Sequence, residues 1–177
     1  MRLSFTKIRD GQRGFSILEM MIATVILLVG LVAIAQLVPA SILLNYRNRT
    51  DSSAAVFAQR QLDQFLDQPL NSVSFTDAPG TPCALGCSLG DPALPNTVQG
   101  SPLILNQALI NFSAAPVANY SFTFPAPTGD LTYDMRWAVI LTGNGTNVYS
   151  KRFIIGVRQQ GGSGYFLPVT LDTMVEK

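Results

Sequence analysis

The 177-residue sequence carries 12 Lys+Arg against 11 Asp+Glu and no histidine, which excludes a Ser-His-Asp triad, a Cys-His dyad and any histidine-ligated metal site. A charged fraction of 13% beside 47% hydrophobic residues describes one folded domain, or a smaller domain with an appendage, rather than a disordered chain. The net charge of +1 gives no reason to expect nucleic acid as a partner.

The charges are concentrated at the start. Residues 1–14 hold Arg2, Lys7, Arg9 and Arg13 against Asp10 alone, and beyond Glu19 no charge returns before Arg47. At about 1.5 Å rise per residue, about 20 apolar residues cross a hydrocarbon core of about 30 Å, so the run over 20–46 is long enough to span. With basic residues on one side only, residues 1–14 are expected to stay cytoplasmic and the remainder to face outward. A secretory signal peptide shares this outline, with Ala33-Ile34-Ala35 imitating its cleavage site, and so does a plain single-span anchor.

Glu19 separates these readings. A carboxylate deep in a bilayer costs roughly 2.5–3.5 kcal/mol and calls for a partner, and the apolar core of a signal peptide has no use for it. At the head of a helix it also complements the positive end of the macrodipole. The segment Gly14-Phe15-Ser16-Ile17-Leu18-Glu19-Met20-Met21-Ile22-Ala23 resembles the class III signal of type IV pilins and type II secretion pseudopilins. The likeness extends over residues 9–38. It implies that a membrane peptidase cuts after Gly14 and N-methylates Phe15, and that Glu19 is the acidic assembly residue. Many major pilins have a proline where this sequence has Gln36; here Pro39 lies three residues later.

The chemistry also stands without the resemblance. Cutting after Gly14 would free an α-amine on Phe15 with a reference pKa of about 7.7–8.0, largely protonated at neutral pH. In a stack of related helices, a neighbour's Glu19 could approach that amine. Removing one partner of a desolvated ion pair costs about 3–5 kcal/mol, enough to set a register.

A second helical pattern follows. Ala55, Ala58, Leu62, Phe65 and Leu66 line one face over 51–68, with Arg60, Asp63, Asp67 and several glutamines on the wetter side. A continuous helix over 15–68 would be about 80 Å long, and Pro39 should kink it. The expected organisation is a leader at 1–14, a transmembrane and assembly helix at 15–46, an amphipathic half at 47–68 and a head at 69–177.

Within that head, nine of the 11 prolines fall between residues 69 and 127. They predict an irregular connection with short strands at most near 103–105 and 120–124. Cys83 and Cys87 lie inside it, and an outward, oxidising location makes a disulfide the expected state. A free or reactive thiol pair is the alternative, without the C-x-x-C spacing or βαβ context of a redox centre. Residues 128–177 read as antiparallel sheet. In 131–141, Tyr133, Met135, Trp137, Val139 and Leu141 share one parity, opposite Asp134 and Arg136. Gly143-Asn144-Gly145 then turns the chain into 148–157, where Tyr149, Phe153, Ile155 and Val157 share a parity. Gly161-Gly162-Ser163-Gly164 leads into an edge strand at 165–171 containing Pro168. Trp137 is expected in the core, with Lys151 and Arg152 as solvated edge charges. The hairpin resembles the closing hairpin of PilV-type minor pilins and of the minor pseudopilin I class.

Neither a phosphate-binding loop nor a calcium loop occurs, Asp130 and Asp134 being too few ligands, and no activated nucleophile or cofactor motif is present. The N-x-[ST] triplets at Asn48, Asn111, Asn119 and Asn144 are expected by chance. The expectation is a non-enzymatic α+β, pilin-like structural subunit without a cofactor: a long N-terminal helix on a small antiparallel sheet. The resemblance implies major and other minor pilins, a prepilin peptidase and an inner-membrane platform as partners. It also implies a single-pass precursor that becomes extracellular or periplasmic on assembly. A type II secretion minor pseudopilin is the alternative within the family; a secreted or anchored binding protein is the alternative outside it.

Overall fold

A computed structural model describes residues 14–125, 131–160 and 167–176. The basic leader residues, Asp130, the 161–164 glycine turn and Tyr165 lie outside the described residues. The one helix among them, α1, runs Ile17–Leu66 over 50 residues. The chain divides between Asn45 and Tyr46 into two compact units.

In the first unit every described side chain is exposed. Ile26, Leu27, Leu28 and Val29, successive residues that point to different sides of the helix, are each at least 63% accessible. Apolar character all round a helix suits lipid or a bundle of helices, not a half-wet surface. Its hydroxyls are satisfied within the helix: Thr24 Oγ1 donates to the Met20 and Met21 carbonyls, and Ser41 Oγ donates to Leu37 O at 2.8 Å. Such back-bonding is how a hydroxyl avoids the cost of an unpaired polar group in an apolar medium. The helix continues through Pro39, which supplies no N–H to the carbonyl four residues earlier.

In the second unit the remainder of α1 buries Thr50, Ala54, Ala58, Gln61, Leu62 and Phe65. The apolar face therefore starts at Ala54, not at Ala55, which is only half-buried. Gln61 is no part of the wet side either: its Nε2 donates to Cys83 Sγ at 3.6 Å. Arg60, Asp63 and Asp67 are exposed as their pattern indicates.

That face rests on a five-stranded antiparallel sheet. Its strands are β3 (Val98–Gly100), β4 (Ser121–Pro125), β5 (Thr132–Gly143), β6 (Val148–Gln160) and β7 (Val169–Glu176), in the order β3-β5-β6-β7 with β4 also on β5. A separate pair, β1 (Ser74–Phe75) with β2 (Cys87–Ser88), precedes it. The expected strand near 120–124 is β4. The one near 103–105 is instead a turn closed by a Leu103–Ile110 bridge. Pro168 precedes the last strand rather than lying within it, and that strand runs on to Glu176. The layout is α+β: an apolar N-terminal helix whose later part packs on antiparallel sheet.

Trp137 is fully buried, with its ring centroid 5.2 Å from Phe65 and its Nε1 donating to Ser88 O at 2.9 Å. The strand parity fails elsewhere for two reasons. Tyr149 is exposed and Val148 buried, because the register shifts from Thr142↔Ser150 to Gly143↔Val148 and leaves Tyr149 as the extra residue of a bulge. The outer face of the sheet is also covered. Ile110 and Phe112 pack on Ala138 and Ile154, and a Cβ on Gly156 would lie 2.9 Å from Phe112 and 3.0 Å from Ile110.

Asp134 and Arg136 are consequently buried rather than solvated. Arg136 Nη2 pairs with Asp134 Oδ2 at 2.8 Å, and its Nη1 donates to Ala114 O at 2.7 Å. Arg136 and Arg158 both lie over the Phe112 ring, at 5.1 and 4.9 Å, a cation–π arrangement that fastens the covering segment to the sheet. Lys151 is likewise no edge charge. It is 2% exposed, on a strand flanked by β5 and β7, and its Nζ donates to the Ser72 carbonyl. Burial pushes its ammonium down to about 8. Arg152 is half-exposed and paired with Asp172 at 2.6 Å, a contact that raises its pKa.

Candidate processing and assembly site

The candidate site is the start of the helix. Gly14, Phe15 and Ser16 precede α1 in non-helical backbone, and the Phe15 ring is 74% exposed. The Gly14–Phe15 peptide is thus outside the helical hydrogen-bond ladder. A Cβ on Gly14 would meet nothing within 4 Å among the described residues.

Ser16 organises the helix start. Its carbonyl accepts from Met20 N at 3.1 Å, and its Oγ accepts from Leu18 N at 3.3 Å, which makes it the N-cap. Glu19 falls on the third helical residue, in the first turn. There its negative charge complements the unpaired N–H groups and the positive end of the dipole. Ser16 and Glu19 have the S-x-x-E spacing of a capping box. The residue pair was visible in the sequence, and its capping role is the feature that a reading focused on Glu19 alone passed over. Among the described residues no cation forms an ion pair with Glu19.

Cys83 and Cys87 form a disulfide with Cα atoms 5.2 Å apart. Both residues are buried. The bridge closes a short loop against α1 through Gln61, and Asp77 N donates to Cys83 O at 3.2 Å. This places the two cysteines in the architecture of the head. The candidate processing residues Gly14 and Phe15 and the candidate assembly residue Glu19 belong to the first unit.

The family model described as the prokaryotic N-terminal methylation motif matches residues 9–35. That match, which covers the leader's end, the Gly14–Glu19 segment and the start of the apolar helix, supports a type IV pilin or pseudopilin type of precursor. Such a precursor is a membrane-anchored structural subunit, and the exposed apolar helix is long enough to cross a membrane. No curated protein matches the chain, and no solved structure does.

Proposed function

We propose that this chain is a minor type IV pilin. A prepilin peptidase cuts after Gly14 and methylates Phe15, and the helix from Phe15 onward carries the subunit from the inner membrane into a pilus that it primes or decorates. The observation that carries the reading is Gly14-Phe15 outside the helix, followed by Ser16 as cap and Glu19 in the first turn of an exposed apolar helix. The Phe15 ammonium formed by cleavage is the natural partner for the Glu19 carboxylate of an adjacent subunit. In an apolar bundle a mismatched register would leave one of those charges unpaired. Major and other minor pilins, together with the inner-membrane assembly platform, are the partners this mechanism requires.

The test is incorporation. With Glu19→Ala, the protein should accumulate in the membrane at the normal level while its amount in sheared pili falls at least about tenfold, given the energy of an uncompensated charge. Normal incorporation of that variant would remove the role assigned to the carboxylate. Loss of enzyme secretion rather than of pili on deletion of the gene would move the protein to the type II secretion pseudopilins, which share the motif.

A further inference from the structure

The tip of the β5–β6 hairpin holds the one Asn-Gly pair in the sequence, Asn144-Gly145. Asn144 is exposed, and its side chain folds forward along the chain: Oδ1 accepts from Thr146 N at 3.1 Å and from Asn147 N at 2.7 Å. Asn144 N donates to Asn147 O at 3.1 Å, so both ends of the loop are held. The two bonds to Oδ1 draw the amide carbon Cγ over the Gly145 peptide. Among the described residues, neither Gly145 N nor Asn144 Nδ2 donates a hydrogen bond. A Cβ on Gly145 would meet nothing within 4 Å among those residues, so there is room beside this peptide.

These features suit one reaction. Asparagine is a thermally labile residue, and it is lost when the backbone nitrogen of the next residue attacks its side-chain carbonyl. A following glycine leaves that nitrogen without a side chain beside it. In this loop the nitrogen is unencumbered, and the departing Nδ2 breaks no bond to the protein. Two N–H groups already hold the oxygen on which negative charge develops during the attack, the arrangement that stabilises a tetrahedral intermediate.

We propose that Asn144 is a site of spontaneous deamidation. Gly145 N gives its proton to solvent base and bonds to Cγ. The Cγ–Nδ2 bond then breaks and Nδ2 leaves as ammonia, closing a succinimide ring. Water opens the ring at either carbonyl, giving aspartate or isoaspartate with a new carboxylate at the hairpin tip. One water enters and one ammonia leaves, without oxidation or reduction. As aspartate, the side chain keeps both N–H donors and holds them more strongly, because the acceptor is now charged. Asn111 is the internal contrast. Its Oδ1 also accepts from the N–H two residues on, Ser113 N at 2.9 Å, but the attacking nitrogen would belong to Phe112, which is buried against the sheet. The proposal does not depend on how the N-terminus is processed.

The test is incubation of the full-length chain in membranes in heavy-oxygen water, followed by peptide mapping that separates aspartate from isoaspartate. Asn144 should convert to both products, each carrying one heavy oxygen, while Asn111 stays intact. The rate should rise about tenfold per pH unit between about pH 7 and 9, as the ionised fraction of any acid does far below its pKa. A parallel incubation in urea at the same pH removes the loop geometry. The folded chain should react at least as fast as the unfolded one, since the loop presents Cγ to the nitrogen and stabilises the intermediate. A slower reaction in the folded chain, equal conversion at Asn111 or a product without heavy oxygen overturns the proposal. Asn144→Asp should leave the thermal midpoint level or raise it, and a fall would overturn the retention of the loop by the product.

Discussion

Lys151 holds the backbone carbonyl of Ser72 with its ammonium, from a strand between β5 and β7 to the turn that follows the helix. The neighbouring contact runs the same way, Val148 N donating to Asn71 Oδ1 at 3.2 Å. Together they tie the start of β6 to the 69–72 turn, where Ser72 N donates to Pro69 O at 2.9 Å. The charge is the cost of this tie, since a desolvated ammonium is disfavoured relative to the neutral amine.

That cost gives a pH dependence of definite sign. The folded-state value of about 8 lies below the ordinary 10.5, so between the two the unfolded chain binds more protons than the folded one. Stability from this group therefore rises with pH across that window, and the desolvation cost is fully present below pH 8. Denaturant titrations of the wild type and Lys151→Met at pH 7.5 and 9.5 should show the wild type gaining on the variant, by at most about 1.4 kcal/mol per pH unit. A difference independent of pH would mean the amine is solvated.

Among the described residues, Asp134 is the one carboxylate that pairs with Arg136 and Arg158, and it also accepts from the Gln160 amide at 3.1 Å. Asp134→Asn keeps the shape and leaves the Arg136 guanidinium buried without a counter-charge. A loss of about 3 kcal/mol in unfolding free energy is expected. A loss below 1 kcal/mol would show that water reaches this side of the sheet.

Gly156 is required by close packing rather than by backbone conformation. Gly156→Val would drive carbon atoms into Phe112 and Ile110, at a cost of about 1–3 kcal/mol. The covering segment should lift first. Hydrogen exchange at 110–114 would increase before exchange in β5 or β6, whereas equal protection in both would contradict this packing.

Reducing the Cys83–Cys87 bridge reopens only a short loop, so the expected loss is about 2 kcal/mol with the fold retained. A urea midpoint that shifts modestly under reductant, with unchanged circular dichroism before the transition, is the corresponding result. Complete unfolding on reduction would make the bridge a much larger part of the head's stability than its loop length implies.

The sequence displayed the helix because its apolar run is long and uniform, and the central hairpin because a glycine-asparagine turn separates two β-rich runs. It concealed whatever depended on a third element. Counting put Asp134 and Arg136 on the opposite parity but gave no sign that this face is covered, because Ile110 and Phe112, which cover it, lie in a proline-rich segment without periodicity. Tyr149 kept the correct parity by counting and lost it to one bulge residue. Lys151 looked exposed because nothing local indicates that the Ser72 carbonyl folds over it. At the candidate site, Gly14, Phe15 and Glu19 were singled out by the resemblance of their segment to a class III signal, whereas the capping role of Ser16 emerged only from its hydrogen bonds.

The most direct test of the central claim is the N-terminus of the protein isolated from its native membrane, read by intact mass and fragmentation. A chain beginning with N-methylated Phe15 is the expected result. A chain that still begins at Met1, or one that begins at Gln36 after cleavage at Ala35, would contradict it.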